Sequence, residues 1–98
     1  MEFLVHMTVK VPEQLEQRAV DALIAAERAH GRRLLESGHL IRIWRLSTNE
    51  NPAGVLRNVA IWSADDRAAL DRVLSSLPLW PHASVDITDL QTHPLEQS

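Results

Sequence analysis

An α+β domain with elements in the order βαββαβ is what the 98-residue sequence predicts, and three patterns predict it. Phe3 to Val11 alternates apolar and polar residues with the period of a strand. Val20, Leu23, Ile24 and Leu34 recur at the spacing of one helical face. A second strand pair and a second helical stripe, Leu70, Val73, Leu74 and Leu77, complete the order. This is the ferredoxin-like pattern, an antiparallel sheet with two helices on one face.

Taken in order, the first strand points Phe3, Val5, Met7, Val9 and Val11 one way and Leu4, His6, Thr8 and Lys10 the other, and Pro12 ends it. The first helix is expected over roughly Glu13 to Ser37. Glu13 and Glu16 in its first turn, with Arg32 and Arg33 near its end, suit the helix dipole, and Gly38 is the natural stop. The second strand, Leu40 to Leu46, sets Ile41, Ile43 and Arg45 on one side and Leu40, Arg42, Trp44 and Leu46 on the other. Ser47 to Asn58, rich in Ser, Asn, Pro and Gly, reads as a loop. It is expected to be mobile, because Val55 and Leu56 are its only apolar anchors. A third strand follows at about Val59 to Trp62. Ser63 is expected to cap the second helix, with Asp66 three residues on. Leu77-Pro78-Leu79-Trp80-Pro81 makes a proline-bracketed turn, Ser84 to Leu90 the last strand, and Gln91 to Ser98 an extended tail. With both helices on one face, the other face carries His6, Thr8 and Lys10. In a small domain that face is expected to meet a second subunit, so that two sheets form a dimeric α+β barrel.

The bulk properties narrow the function. The length suits one domain spanning residues 1–98. A net charge of −3 argues against a nucleic-acid module, which needs a basic surface. The absence of cysteine excludes disulfides and thiol catalysis. No apolar run approaches the roughly 18 residues of a membrane span, and no basic-then-apolar leader opens the chain, so a cytoplasmic protein is expected. The five histidines (His6, His30, His39, His82, His93) form no metal motif, the three glycines are isolated, and no GxSxG elbow is present. No metal site is expected from these patterns.

One residue breaks the helical pattern. Glu27 falls on the apolar face, four residues after Leu23, and its own position four residues on is Gly31, which offers no cation. A carboxylate on the buried side of a helix is costly. It must find a partner from another element or carry a raised pKa. A carboxylate with a raised pKa is what a general base near neutral pH requires. The commoner outcome for such a residue is a salt bridge or a route to solvent.

An ordered set of residues carries more than composition does. Met7-Thr8-Val9-Lys10 with Pro12, Glu27, Arg33-Leu34, Gly38, Trp44-Arg45, Leu77-Pro78-Leu79-x-Pro81, Leu90 and His93-Pro94 together resemble the muconolactone Δ-isomerase family over nearly the whole chain. The resemblance implies a small ferredoxin-like protein that forms homo-oligomers, commonly decamers built from dimers. It also implies a cofactor-independent isomerase of the catechol branch of the β-ketoadipate pathway. That reaction moves the ring double bond of a lactone, muconolactone, to give 3-oxoadipate enol-lactone: a base removes the γ proton, a dienolate forms, and a proton returns at the α carbon on the same face. On this resemblance Glu27 is the candidate base, and His6 and Lys10 are candidate donors to the lactone oxygen. Arg45 or Arg42 is a candidate fork for the substrate carboxylate. Trp44 and Trp62 are candidate ring walls, though core or subunit packing suits them better. The sequence departs from the family at His6, where Lys is usual, and after Arg45, where a short Gly-His-Tyr turn is replaced by Ser47 to Asn58. Those departures keep open a relative acting on another lactone, by isomerisation or dehalogenation. A cofactor-independent monooxygenase or a ligand-binding module of the same fold also stays open.

Overall fold

The computed structural model describes residues 1–46 and 54–96. Its elements run β1 (Glu2–Lys10), α1 (Gln17–Ser37), β2 (Leu40–Arg45), β3 (Val55–Ser63), α2 (Arg67–Ser75), a 3-10 turn (Trp80–His82), β4 (Ala83–Leu90) and a second 3-10 turn (Pro94–Glu96). The four strands form one antiparallel sheet in the order β2-β3-β1-β4. β1 is therefore central, which suits the one strand with an unbroken row of large apolar side chains. Phe3, Val5, Met7 and Val9 are buried beneath both helices, in one core with Leu34 of α1 and Leu70 and Leu74 of α2. Phe3, Val5, Leu70 and Leu74 are fully buried, each stabilising the fold by about 1.5–3 kcal/mol relative to exposure. The ferredoxin-like α+β architecture expected from the sequence is the one observed.

Four local differences have physical causes. α1 starts at Gln17 rather than Glu13, because a turn closed by the Leu15 N–H to the Pro12 carbonyl (3.3 Å) comes first. Glu16 occupies the N-cap position without a side-chain cap, and neither terminal turn carries the charges that the dipole favours. Gly38 does end the helix, in the left-handed region at φ 84°, where only glycine is free of Cβ strain. β3 begins at Val55: Val55, Leu56, Arg57 and Asn58 pair with Lys10, Val9, Thr8 and Met7, so the central strand is matched along its length. The expected loop is shorter by those residues. Its remainder, 47–53, lies outside the described residues, and so does its expected mobility. α2 is capped by Asp66, whose carboxylate accepts from the Ala69 N–H at 2.7 Å, while Ser63 is the last residue of β3.

The fourth difference re-aims β2. Leu40 pairs with Trp62 but Arg42 pairs with Ile61, so a bulge separates them. Leu40 thereby joins the core face that simple alternation denied it. Beyond the bulge Ile43 and Arg45 oppose Ala60 and Asn58 on that face, while Arg42 and Trp44 oppose Ile61 and Val59 on the outer one.

The cap assignment is directly testable. Asp66→Ala should lower the free energy of unfolding by about 1 kcal/mol in urea titrations, whereas Ser63→Ala should lie within about 0.5 kcal/mol of the parent.

Candidate active site

α1 crosses the sheet so that Ile24, Glu27, Arg28, Gly31, Arg32 and Leu35 overhang β1, β3 and β2. Two helical rows, 24/28/32 and 27/31/35, produce this edge. Beneath it runs a cleft with two lobes that share Met7, Glu27, Arg28, Ile43 and Asn58. The first, about 280 Å³, is closed by Leu40, Trp62 and Leu77 and is mostly apolar. Gly31 borders open space there, since a Cβ on it would find no heavy atom within 4 Å. The second, about 450 Å³, carries Arg45 and Arg57 beside Val9, Leu46, Val55, Leu56 and Leu79.

Glu27 sits where the lobes meet. Its Oε2 accepts a hydrogen bond from the Leu79 N–H at 2.9 Å, donated by the connection between α2 and the 3-10 turn. Burial pushes its carboxyl above the ordinary value of 4.5, while the Leu79 N–H and the nearby His30 pull the other way. Both outcomes foreseen for a carboxylate on a buried helical face therefore occur together. His30, one turn on, places Nε2 2.8 Å from the Ser76 hydroxyl. Among the described residues the single ion pair joins Arg67 to Asp71 on α2, so no carboxylate there neutralises Arg28, Arg32, Arg45 or Arg57. The cleft thus presents one carboxylate in an apolar, cationic surround, an arrangement able to hold an anionic molecule against a base.

Of the residues selected from the sequence, Glu27, Arg45 and Trp62 line this cleft, Trp62 at 3% exposure. His6 and Lys10 do not join them. They alternate with the buried row of β1 and so face the opposite side of the sheet. There His6 lines a shallow hollow with Thr8, Ser84, Val85 and Asp86. Arg42 and Trp44 also lie on the outer face, the guanidinium 4.8 Å from the ring centroid. Arg28, Arg32 and Asn58 escaped the sequence reading, although Gly31 and Leu35 share Glu27's own row and Arg28 and Arg32 adjoin it. The Leu79 N–H has no side-chain signature. Among the described residues no three His, Cys, Asp or Glu side chains gather as metal ligands, and no helix is long and apolar enough to cross a membrane.

The raised Glu27 pKa fixes the sign of a pH effect. Between its ordinary and its raised value the folded chain binds more protons at this site than the unfolded chain, so stability from this group falls as pH rises through that window. Glu27→Gln should therefore be more stable than the parent at pH 7, with the gap closing towards pH 4, in urea midpoints measured across that range.

Comparisons with known proteins agree with this geometry. The family model described as muconolactone delta-isomerase matches residues 1–96. Muconolactone Delta-isomerase 1 of Acinetobacter lwoffii is 32% identical over 94 residues, 96% of this chain and 92% of that protein. A crystal structure of muconolactone isomerase superposes with a TM-score of 0.83 at 29% identity, covering 96% of this chain and 92% of the other. A cofactor-independent oxygenase from Streptomyces nogalater reaches a TM-score of 0.52 at 18% identity over 95% of this chain and 97% of its own, which is a likeness of fold alone. The resemblance read from Met7 to Pro94 is thus borne out, and the chain belongs to the muconolactone delta-isomerase family.

Proposed function

We propose that this protein is a cofactor-independent isomerase converting muconolactone to 3-oxoadipate enol-lactone, with Glu27 as the single proton shuttle. The observation that carries the reading is the Glu27 carboxylate at the junction of the two lobes, desolvated and held by the Leu79 N–H. In the reaction the carboxylate removes the γ proton of the lactone ring. The electron pair moves through the ring double bond onto the carbonyl oxygen as a dienolate. The carboxylic acid so formed returns its proton to the α carbon on the same face, and the carboxylate is restored. A raised pKa makes Glu27 a stronger base than an exposed carboxylate. One base on one side of the ring suffices, so no second acid is needed.

The charge distribution supports the substrate class. Arg45 and Arg57 in the second lobe suit the carboxymethyl group, leaving the ring over Met7 and Ile43, with the Asn58 amide and Arg28 as donors to the developing oxyanion. Trp62 forms the end wall of the first lobe. His6, Lys10, Arg42 and Trp44 belong, in this proposal, to the outer face that meets a second subunit in a dimer or in a decamer of dimers. The protein then acts in the cytoplasm as one domain in the catechol branch of the β-ketoadipate pathway.

Ultraviolet turnover of muconolactone tests the reading. Glu27→Gln should lower kcat by about 10²–10⁴, and a loss smaller than about tenfold would remove Glu27 from the proposed role. Arg45→Gln should act mainly on KM, raising it about tenfold, as expected for the loss of a charged contact made alike in ground and transition states.

A further inference from the structure

Two side chains on successive turns of α1 reach the same short connection. Glu27 takes the Leu79 N–H at 2.9 Å, and His30 meets the Ser76 hydroxyl at 2.8 Å. The residues stand three apart on each side, so the two contacts lie in parallel between helix and connection. The Ser76 hydroxyl has one proton, and it is directed to the Val73 carbonyl at 2.5 Å. Ser76 Oγ can therefore only accept from His30, which makes Nε2 the donor. This assigns the Nε2–H form of the imidazole and leaves Nδ1 without a role in the contact. Because imidazolium also carries an Nε2–H, the contact persists in either charge state.

We propose that His30 is a positioning residue for Glu27, acting through Ser76 to hold the 76–79 connection so that the Leu79 N–H stays aimed at the carboxylate. The rest of the connection explains why one anchor is not enough. Ser76 closes α2 by backbone bonding to Val73 (3.2 Å), and Leu77 bonds to Leu74 (3.1 Å), so that end is tied to α2. At the other end Trp80 bonds to Leu77 (2.9 Å) and His82 to Leu79 (2.9 Å), both within the connection and the turn it enters. These backbone bonds tie the segment to α2 and to itself. Apart from side-chain packing, the described polar contacts tying it to α1 are those of Glu27 and His30. Without His30 the carboxylate would have to locate the peptide that holds it, and an error of the order of 1 Å at a catalytic group can cost up to about 10²-fold in rate.

The inference rests on the reading of Glu27 as the base, but part of its test does not need turnover. In nitrogen-15 spectra of the parent protein at a pH where His30 is neutral, the imidazole should show the Nε2–H tautomer. The Leu79 amide should exchange at least several-fold faster in His30→Leu than in the parent. His30→Gln should restore slow exchange, since its amide nitrogen lies as many bonds from the backbone as Nε2. His30→Asn should not, since its amide nitrogen occupies the Nδ1 position. In turnover assays His30→Leu should lower kcat about tenfold with KM within about twofold, and His30→Gln should recover most of that loss. Adding Ser76→Ala to His30→Leu should bring little further loss in kcat, because both remove one contact. An Nδ1–H tautomer, equal exchange in the Gln and Asn variants, or losses that multiply in the double variant would each overturn the proposal. If the exchange pattern holds while the parent fails to convert muconolactone, the positioning contact stands and the reading of the reaction falls.

Discussion

The hydrogen bond from the Leu79 N–H to the Glu27 carboxylate is the constraint on which the site depends. It joins α1 to the connection after α2, alongside the contact of His30 with the Ser76 hydroxyl. A carboxylate at this depth would be costly alone and nearly inert as a base if fully neutralised. One backbone donor strikes a balance: it satisfies Oε2 and brings no formal charge that would quench basicity. Sheet, bulge and helix then set the walls of the cleft that Glu27 lines. The bulge at Leu40 and Arg42 is part of this, because it lets β2 contribute both a core residue, Leu40, and the cleft residues Ile43 and Arg45.

The electrostatic setting runs against the chain as a whole. The formal net charge is −3, yet Arg28, Arg32, Arg45 and Arg57 surround the one carboxylate of the cleft. A negatively charged protein with a locally cationic pocket favours small anions at the site and gives no extended surface to polyanions. Burial raises the Glu27 carboxyl and the arginines supply the positive charge, so the basicity and the anion preference of the cleft draw on separate features.

Much of the fold was legible because it depends on periodicity. The alternation of β1 and the stripes of α1 and α2 follow from which side chains must be buried: Phe3, Val5, Met7, Val9, Leu34, Leu70, Leu74 and Leu77 are core, Leu23 and Val73 pack against it half-buried, and Val20 and Ile24 stay outside it. Val55 to Asn58 was not legible, since its loop-like neighbours hide a pairing that only β1 makes visible. Ser63 read as the cap because Asp66 follows three residues on, but β3 runs one residue further than expected and takes Ser63, leaving Asp66 to cap α2. For the site, Glu27 announced itself by breaking an apolar face. His6 and Lys10 lie away from the cleft because a strand presents two rows and only one can look towards the helices. The Leu79 amide was beyond reach, because a backbone donor carries no residue type, and its position depends on how α2 ends.

Gly31 shows what the open first lobe costs. A glycine in the middle of a 21-residue helix is about 1 kcal/mol less favourable than alanine, and here no close approach of another element requires it. The position therefore trades helix stability for vacant volume beside the carboxylate. Pocket capacity in this scaffold can be reduced stepwise from a single helical site, without touching the sheet, the arginines or Glu27. Substitution there can only fill the lobe, so divergence towards slimmer ring molecules would proceed by changes that also stiffen the helix, and in this corner of the molecule a narrower cleft and greater stability would rise together.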